Sequence, residues 1–100
     1  MSKHKEGKIQ AAIVAEAEAM GFIVYNIVVS GKKGNGDLCM CANGRFMSIE
    51  VKVEGEEPTP MQLYKLKKIR EARGLATWCT SVAEFRAFVV SCLREGLEDF

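Results

Sequence analysis

Histidine and proline are scarce in this sequence, and each scarcity removes a class of chemistry or form. His4 is the only histidine. It reads as a surface residue with no nucleophile paired to it, which leaves a hydrolase of small molecules a distant third reading. It also weakens any zinc reading, because zinc sites draw on closely spaced ligand pairs. Cys39 and Cys41 fall on one strand face, while Cys79 and Cys92 lie far downstream. The four cysteines read as free, mostly buried thiols of a reducing cytosol. With only two prolines, 48% hydrophobic and 27% charged residues, the composition is that of a globular domain rather than a disordered chain. Long apolar runs are missing too. Phe22 to Val29 is the longest kind present, too short to span a membrane, and "MSKHKEGK" leads into an amphipathic pattern rather than a secretory leader. We expect a cytoplasmic protein, in the host cytoplasm if the source is viral, with no membrane partner and no organic cofactor.

The formal charge of +1 hides an uneven distribution. Lys65, Lys67, Lys68, Arg70 and Arg73 cluster on one segment, with Lys32 and Lys33 in a glycine-rich loop, "SGKKGNG". A local basic surface of this kind suits an anionic polymer, and a solvated helix face is the plain alternative. Glu54, Glu56 and Glu57 form an acidic cluster, and the C-terminal end is acidic again.

Periodicity predicts one domain over residues 1–100, with element order αβββαβα and a mixed sheet flanked by helices. Lys3 to Met20 reads as a helix with Glu6, Ile9, Ile13, Glu16 and Met20 on one stripe. Phe22 to Val29 reads as a strand buried on both faces. Thr59, Pro60 and Gln62 open a second helix with a capping box, with Leu63, Leu66, Ile69 and Ala72 on its apolar side and Gly74 ending it. Leu75 to Cys79 makes a short strand whose place in the sheet is open. Ser81 and Glu84 form a second box, before a helix that turns Val82, Phe85, Phe88, Val89, Cys92 and Leu93 to the core.

The segment "GDLCMCANGRFMSIEVK" carries the chemistry. Asn43-Gly44 between two alternating runs specifies a two-residue type I′ turn, which fixes the register. Ala42 then faces Arg45, Cys41 faces Phe46, Cys39 faces Ser48, and Asp37 falls opposite Glu50. Like charges paired across strands repel, so the hairpin concentrates repulsion at one point, and a divalent cation is the natural compensation. Period two puts Lys52 on the face of Glu50. Consecutive elements lie adjacent and reverse direction, which brings Glu6 and Gln62 toward the same end of the sheet. Glu16 lies ten positions later, about 15 Å further along the helix. Asp37 and Glu50 would supply carboxylates to Mg²⁺ or Mn²⁺, with the carbonyl of Val51 as a further ligand by proximity. A bound cation lowers the pKa of coordinated water and offsets charge on a phosphoryl transition state. Lys52 would orient that water or neutralise the scissile phosphate.

"GNGD…IEVK…Q" resembles the PD-(D/E)XK nuclease superfamily, and stand-alone VRR-NUC domains and archaeal Holliday junction resolvases in layout. Asp37 matches the first acid of the motif, Glu50 and Lys52 its E-x-K, Gln62 the helix glutamine of VRR-NUC members, and Glu6 the early helix glutamate. Gly36 stands where the family usually has proline. The resemblance covers nearly the whole chain and implies a restriction-endonuclease-like α/β fold. It further implies a metal-dependent, structure-selective DNA endonuclease that works as a dimer on branched DNA such as Holliday junctions. Small viral and bacterial members are of similar size. Lys32, Lys33, Lys65 and Lys68 would then touch DNA phosphates. A catalytically silent nucleic-acid-binding or interaction module on the same fold is the alternative. Capping alone would account for Gln62, helix polarity for Glu6, and a salt bridge for Glu16.

Overall fold

The computed structural model describes residues 2–25 and 37–94. Its elements are α1 (Ser2–Ala19), β1 (Ile23–Tyr25), β2 (Asp37–Ala42), β3 (Arg45–Val51), α2 (Pro60–Glu71), β4 (Leu75–Cys79) and α3 (Val82–Arg94), which is the expected order. The four strands form one mixed sheet, β1-β2-β3-β4. The first three are antiparallel, and β4 runs parallel to β3 at the edge. A parallel neighbour cannot be reached by a tight turn, so the chain crosses over through α2.

The hairpin forms as its turn dictates. Asn43 and Gly44 both have positive φ, 55° and 85°, the type I′ signature. All six expected pairings are present, from Ala42 with Arg45 to Asp37 with Glu50. One face carries Leu38, Met40, Ala42, Met47, Ile49 and Val51, none more than 1% exposed. They pack with Ile13 and Ala17 of α1 and with Phe85 and Val89 of α3. The other face carries Ser48 and Glu50, both buried, and receives α2.

The first strand departs from expectation. Only Ile23–Tyr25 of it is described, and Ile23 and Tyr25 are 57% and 58% exposed rather than buried; residues 26–29 of the expected strand lie outside the described residues. The cause is coverage: β1 sits at the sheet edge, while α2 packs on β3 and β4. The apolar side of α2 is likewise narrower than the sequence suggests. Leu66 is buried and Ile69 half-buried, but Leu63 and Ala72 are exposed. Gln62, Leu66 and Ile69 form the row that meets the sheet.

Helix α2 ends one residue differently from expectation. Arg73, not Gly74, takes the left-handed conformation, with φ 76°. The Gly74 N–H reaches back to the Ile69 carbonyl at 2.9 Å, closing a Schellman-type end. Arg45 Nε donates to the Arg73 carbonyl at 2.8 Å and ties that corner to the hairpin. Gly74 is needed for space, since a Cβ there would lie 2.8 Å from Ile69 Cγ2 and 3.2 Å from the Ile69 carbonyl oxygen. At α3, Ser81 Oγ accepts the Glu84 N–H at 3.2 Å as expected. The Glu84 carboxylate, however, takes the N–H and hydroxyl of Thr80, at 2.6 and 3.1 Å, instead of closing onto Ser81. Phe85, Val89 and Cys92 of α3 are buried, whereas Leu93 is exposed.

Among the described residues no disulfide joins the cysteines; Cys79 and Cys92 are buried, and Cys41 is exposed. Burial, with the Glu84 carboxylate adding to it, pushes the Cys79 thiol up to about 12. Among the described residues no helix is long and apolar enough to cross a membrane.

Two predictions follow from these contacts. Arg73→Gly relieves about 1–2 kcal/mol of left-handed strain against about 0.5–1 kcal/mol of added chain entropy. It keeps the bond from Arg45, which goes to the backbone, so urea unfolding should show a gain of about 0.5–1 kcal/mol. Gly74→Ala should lose about 1–3 kcal/mol through overpacking on Ile69. Equal midpoints for the two variants would contradict this account of the corner. For Cys79, the unfolded thiol loses its proton near pH 9.0 and the folded one near 12. Its contribution is complete below pH 9 and is lost as pH rises toward 12. Cys79→Ala should be less stable at neutral pH because of its cavity, yet decline less steeply across that alkaline window. Parallel declines would refute the assignment.

Candidate active site

The hairpin register sets Asp37 opposite Glu50 at one end of the sheet. Glu50 is 4% exposed, and a carboxylate this deep is costly unless hydrogen-bonded. Gln62 provides one such bond: its Nε2 donates to Glu50 Oε2 at 2.9 Å. The same amide closes the capping box, with Oε1 accepting the Thr59 N–H at 2.8 Å and the Gln62 N–H donating to Thr59 Oγ1 at 3.1 Å. The cap thereby fixes which way the amide faces. With the oxygen committed to an N–H donor, the nitrogen must point at the carboxylate. Capping and the hold on Glu50 are one arrangement rather than alternatives.

Lys52 is half-buried two residues beyond Glu50, and its N–H donates to the Cys79 carbonyl at 2.9 Å, carrying the β3–β4 pairing past Val51. Val51 itself is fully buried, with its side chain in the core. Helix α1 brings its first turns to this end of the sheet: Lys5, Lys8 and Ile9 share a cleft with Val53, Glu54 and Thr80. Glu6 lies in those turns and is half-buried. Glu16 is placed elsewhere. Its carboxylate is held by Arg86 of α3, through Nε at 3.0 Å and a second nitrogen at 3.3 Å, so it is a salt-bridging residue.

The structure thus brings Asp37, Glu50 and Gln62 together, with Lys52 and Glu6 at the same end. The side chain of Asp37 and both Lys32 and Lys33 lie outside what is described. Lys65 and Lys68 are exposed on α2. Lys68 pairs with Glu71 at 3.3 Å and stands 5.9 Å from the Tyr64 ring centroid. Among the described residues no three histidine, cysteine, aspartate or glutamate side chains converge. The donors at the site are oxygens, which suit a hard cation that keeps part of its water shell. Lys5 and Lys8 are the residues that sequence reasoning passes over. Their signal is weak, two lysines one helical turn apart on either side of Glu6.

No family model matches the chain. It is 38% identical over 60 residues to a nuclease-named protein, p44, of Acyrthosiphon pisum secondary endosymbiont phage 1. That stretch is 59% of this chain and 64% of that protein, so less than two thirds of the relative's length is spanned. Among solved structures, a VRR_NUC domain superposes with a TM-score of 0.71 at 26% identity, over 85% of this chain and 94% of that one. The likeness to a VRR_NUC domain takes in most of both chains, the mixed sheet and its crossover helix included, and together with the nuclease-named phage protein it supports the VRR-NUC resemblance read from the sequence.

Proposed function

We propose that this protein is a metal-dependent nuclease that hydrolyses DNA phosphodiester bonds, selective for branched DNA such as Holliday junctions and active as a homodimer. The observation that carries the reading is the buried Glu50 carboxylate, set opposite Asp37 and oriented by Gln62. A stability-driven sequence would not oppose two acids there. The nuclease name of the phage relative supports the reading.

Asp37, Glu50 and the Val51 carbonyl would hold Mg²⁺ or Mn²⁺, since Mg²⁺ takes one or two carboxylates and completes its shell with water and substrate phosphate. When bound, the cation supplies a more acidic water and positive charge at the scissile phosphate. The chain's own residues do the rest. Gln62 keeps the Glu50 carboxylate from rotating, because its amide is anchored at the cap. Lys52, on the face of Glu50, places an ammonium where the scissile phosphate enters and orients the attacking water. Glu6 contributes from α1. Lys65 and Lys68, with Lys32 and Lys33, would contact the phosphates of the arms. One such small domain offers a single site, and cutting two strands symmetrically needs two sites about a twofold axis.

The deciding experiment is cleavage of labelled linear, flapped and four-way junction DNA in Mg²⁺, Mn²⁺ or EDTA. Cleavage should need the metal and favour the junction. Binding without cleavage in every metal would instead identify the catalytically silent module. A monomer by light scattering that still nicks junctions in symmetric pairs would refute the dimer.

Two further outcomes are expected. Metal at about 100 times its Kd should stabilise the folded protein by about 2.7 kcal/mol, read as a rise in Tm. Glu50→Gln should abolish both that rise and cleavage while leaving the metal-free protein as stable or more so; a variant that still cuts would sink the site. Glu6→Gln should reduce cleavage far more than Glu16→Gln. The latter should cost at most about 1 kcal/mol, the range of an exposed ion pair. The reverse order would mean that α1 passes the site in another way.

A further inference from the structure

Beside the acid pair, on the other layer of the molecule, lies a cleft of about 480 Å³ lined by Lys5, Lys8, Ile9, Val53, Glu54 and Thr80. Its position follows from the strand period. Glu50 and Lys52 face α2, whereas Val51 and Val53 face α1 and α3, so the cleft opens at the same end of the sheet but on the α1 side. Lys5 and Lys8 are one turn apart on the helix, which puts their side chains on a common face with Cβ atoms about 5–6 Å apart. Both are exposed, and among the described residues neither ammonium is engaged in an ion pair. Two acids lie nearby. Glu54 lines the cleft, and Glu84 is turned onto the N–H and hydroxyl of Thr80. Its lining charge is therefore two ammoniums against one carboxylate.

We propose that this cleft is a phosphate-binding subsite for DNA, in which Lys5 and Lys8 hold the backbone of the cut strand two or three nucleotides from the scissile bond. The inference rests on the nuclease reading of the acid pair. The spacing comes from the chain leaving β3: Val53 is two residues past the strand end and three beyond Glu50, at most about 10 Å at the extended rise of 3.3 Å per residue. Successive nucleotides of one strand rise about 3.4 Å along the duplex axis. The basic residues of α2 lie on the opposite layer. DNA crossing the end of the sheet is then held from both sides, by Lys65 and Lys68 over one face and by Lys5 and Lys8 under the other. Glu54 works against this contact and limits its strength.

The test is fluorescence anisotropy of labelled duplex and four-way junction DNA in EDTA, across a salt series, with cleavage in Mg²⁺ measured alongside. Lys5→Gln/Lys8→Gln should weaken binding and flatten the log–log salt slope by about 1.8, two contacts at about 0.9 each. Lys5→Arg/Lys8→Arg should restore the slope, and Glu54→Gln should tighten binding. If the wild type binds and cuts but its slope is unchanged in the double glutamine variant, or Glu54→Gln leaves affinity unchanged, the subsite is overturned and the nuclease reading stands. If the wild type neither binds nor cuts DNA, the nuclease reading fails and takes the subsite with it.

Discussion

Two acids are forced together by a turn. Once Asn43 and Gly44 adopt paired positive φ values, the hairpin can close in only one register, and that register sets Asp37 against Glu50. A one-residue slip would turn the acids apart. It would also turn Leu38, Met40, Met47 and Ile49 out of a core in which they are almost completely buried. The energy that holds this register in place is thus the apolar packing on the far face of the same strands. Core and site are two sides of one constraint, and neither can be shifted without the other.

Helix α2 meets that constraint with a single amide. A capping glutamine ordinarily serves the helix, and a carboxylate donor ordinarily serves a site. Gln62 does both because a primary amide has an acceptor end and a donor end, and the helix start directs one to Thr59 and the other to Glu50. The other end of α2 is secured to the same hairpin by Arg45, through the carbonyl of Arg73. The helix is therefore pinned at both ends to the strand whose acid it supports.

Much of this is legible in the sequence because the signals are local. The turn dipeptide, the Thr59–Gln62 box and the alternation of the hairpin each act over a few residues, and each carries a direct geometric consequence. What is not legible depends on which layer covers which strand. Phe22 to Val29 is as apolar as a doubly buried strand, yet Ile23 and Tyr25 are exposed because α2 covers the other half of the sheet. Leu63 sits at a helical spacing that looks buried, but the row through Gln62 takes the contact. Nothing about an arginine announces a left-handed conformation at position 73; the close approach of Gly74 to Ile69 imposes it. The residues that line the α1 cleft become visible only once α1 is docked, with Glu16 on Arg86.

The proposed site draws on two stretches of chain that are far apart in sequence. Asp37, Glu50, Lys52 and Gln62 belong to one continuous run, a hairpin followed by the start of a helix, whereas Glu6, Lys5 and Lys8 arrive on a helix that packs from elsewhere. Local contacts close with little loss of chain entropy, and distant ones close later. The acid pair and its glutamine can therefore exist as a preformed half-site while the end of α1 is still undocked. Local opening of that helix turn would disconnect the second half without disturbing the first. Assembly of the complete site is then tied to the docking of one helix.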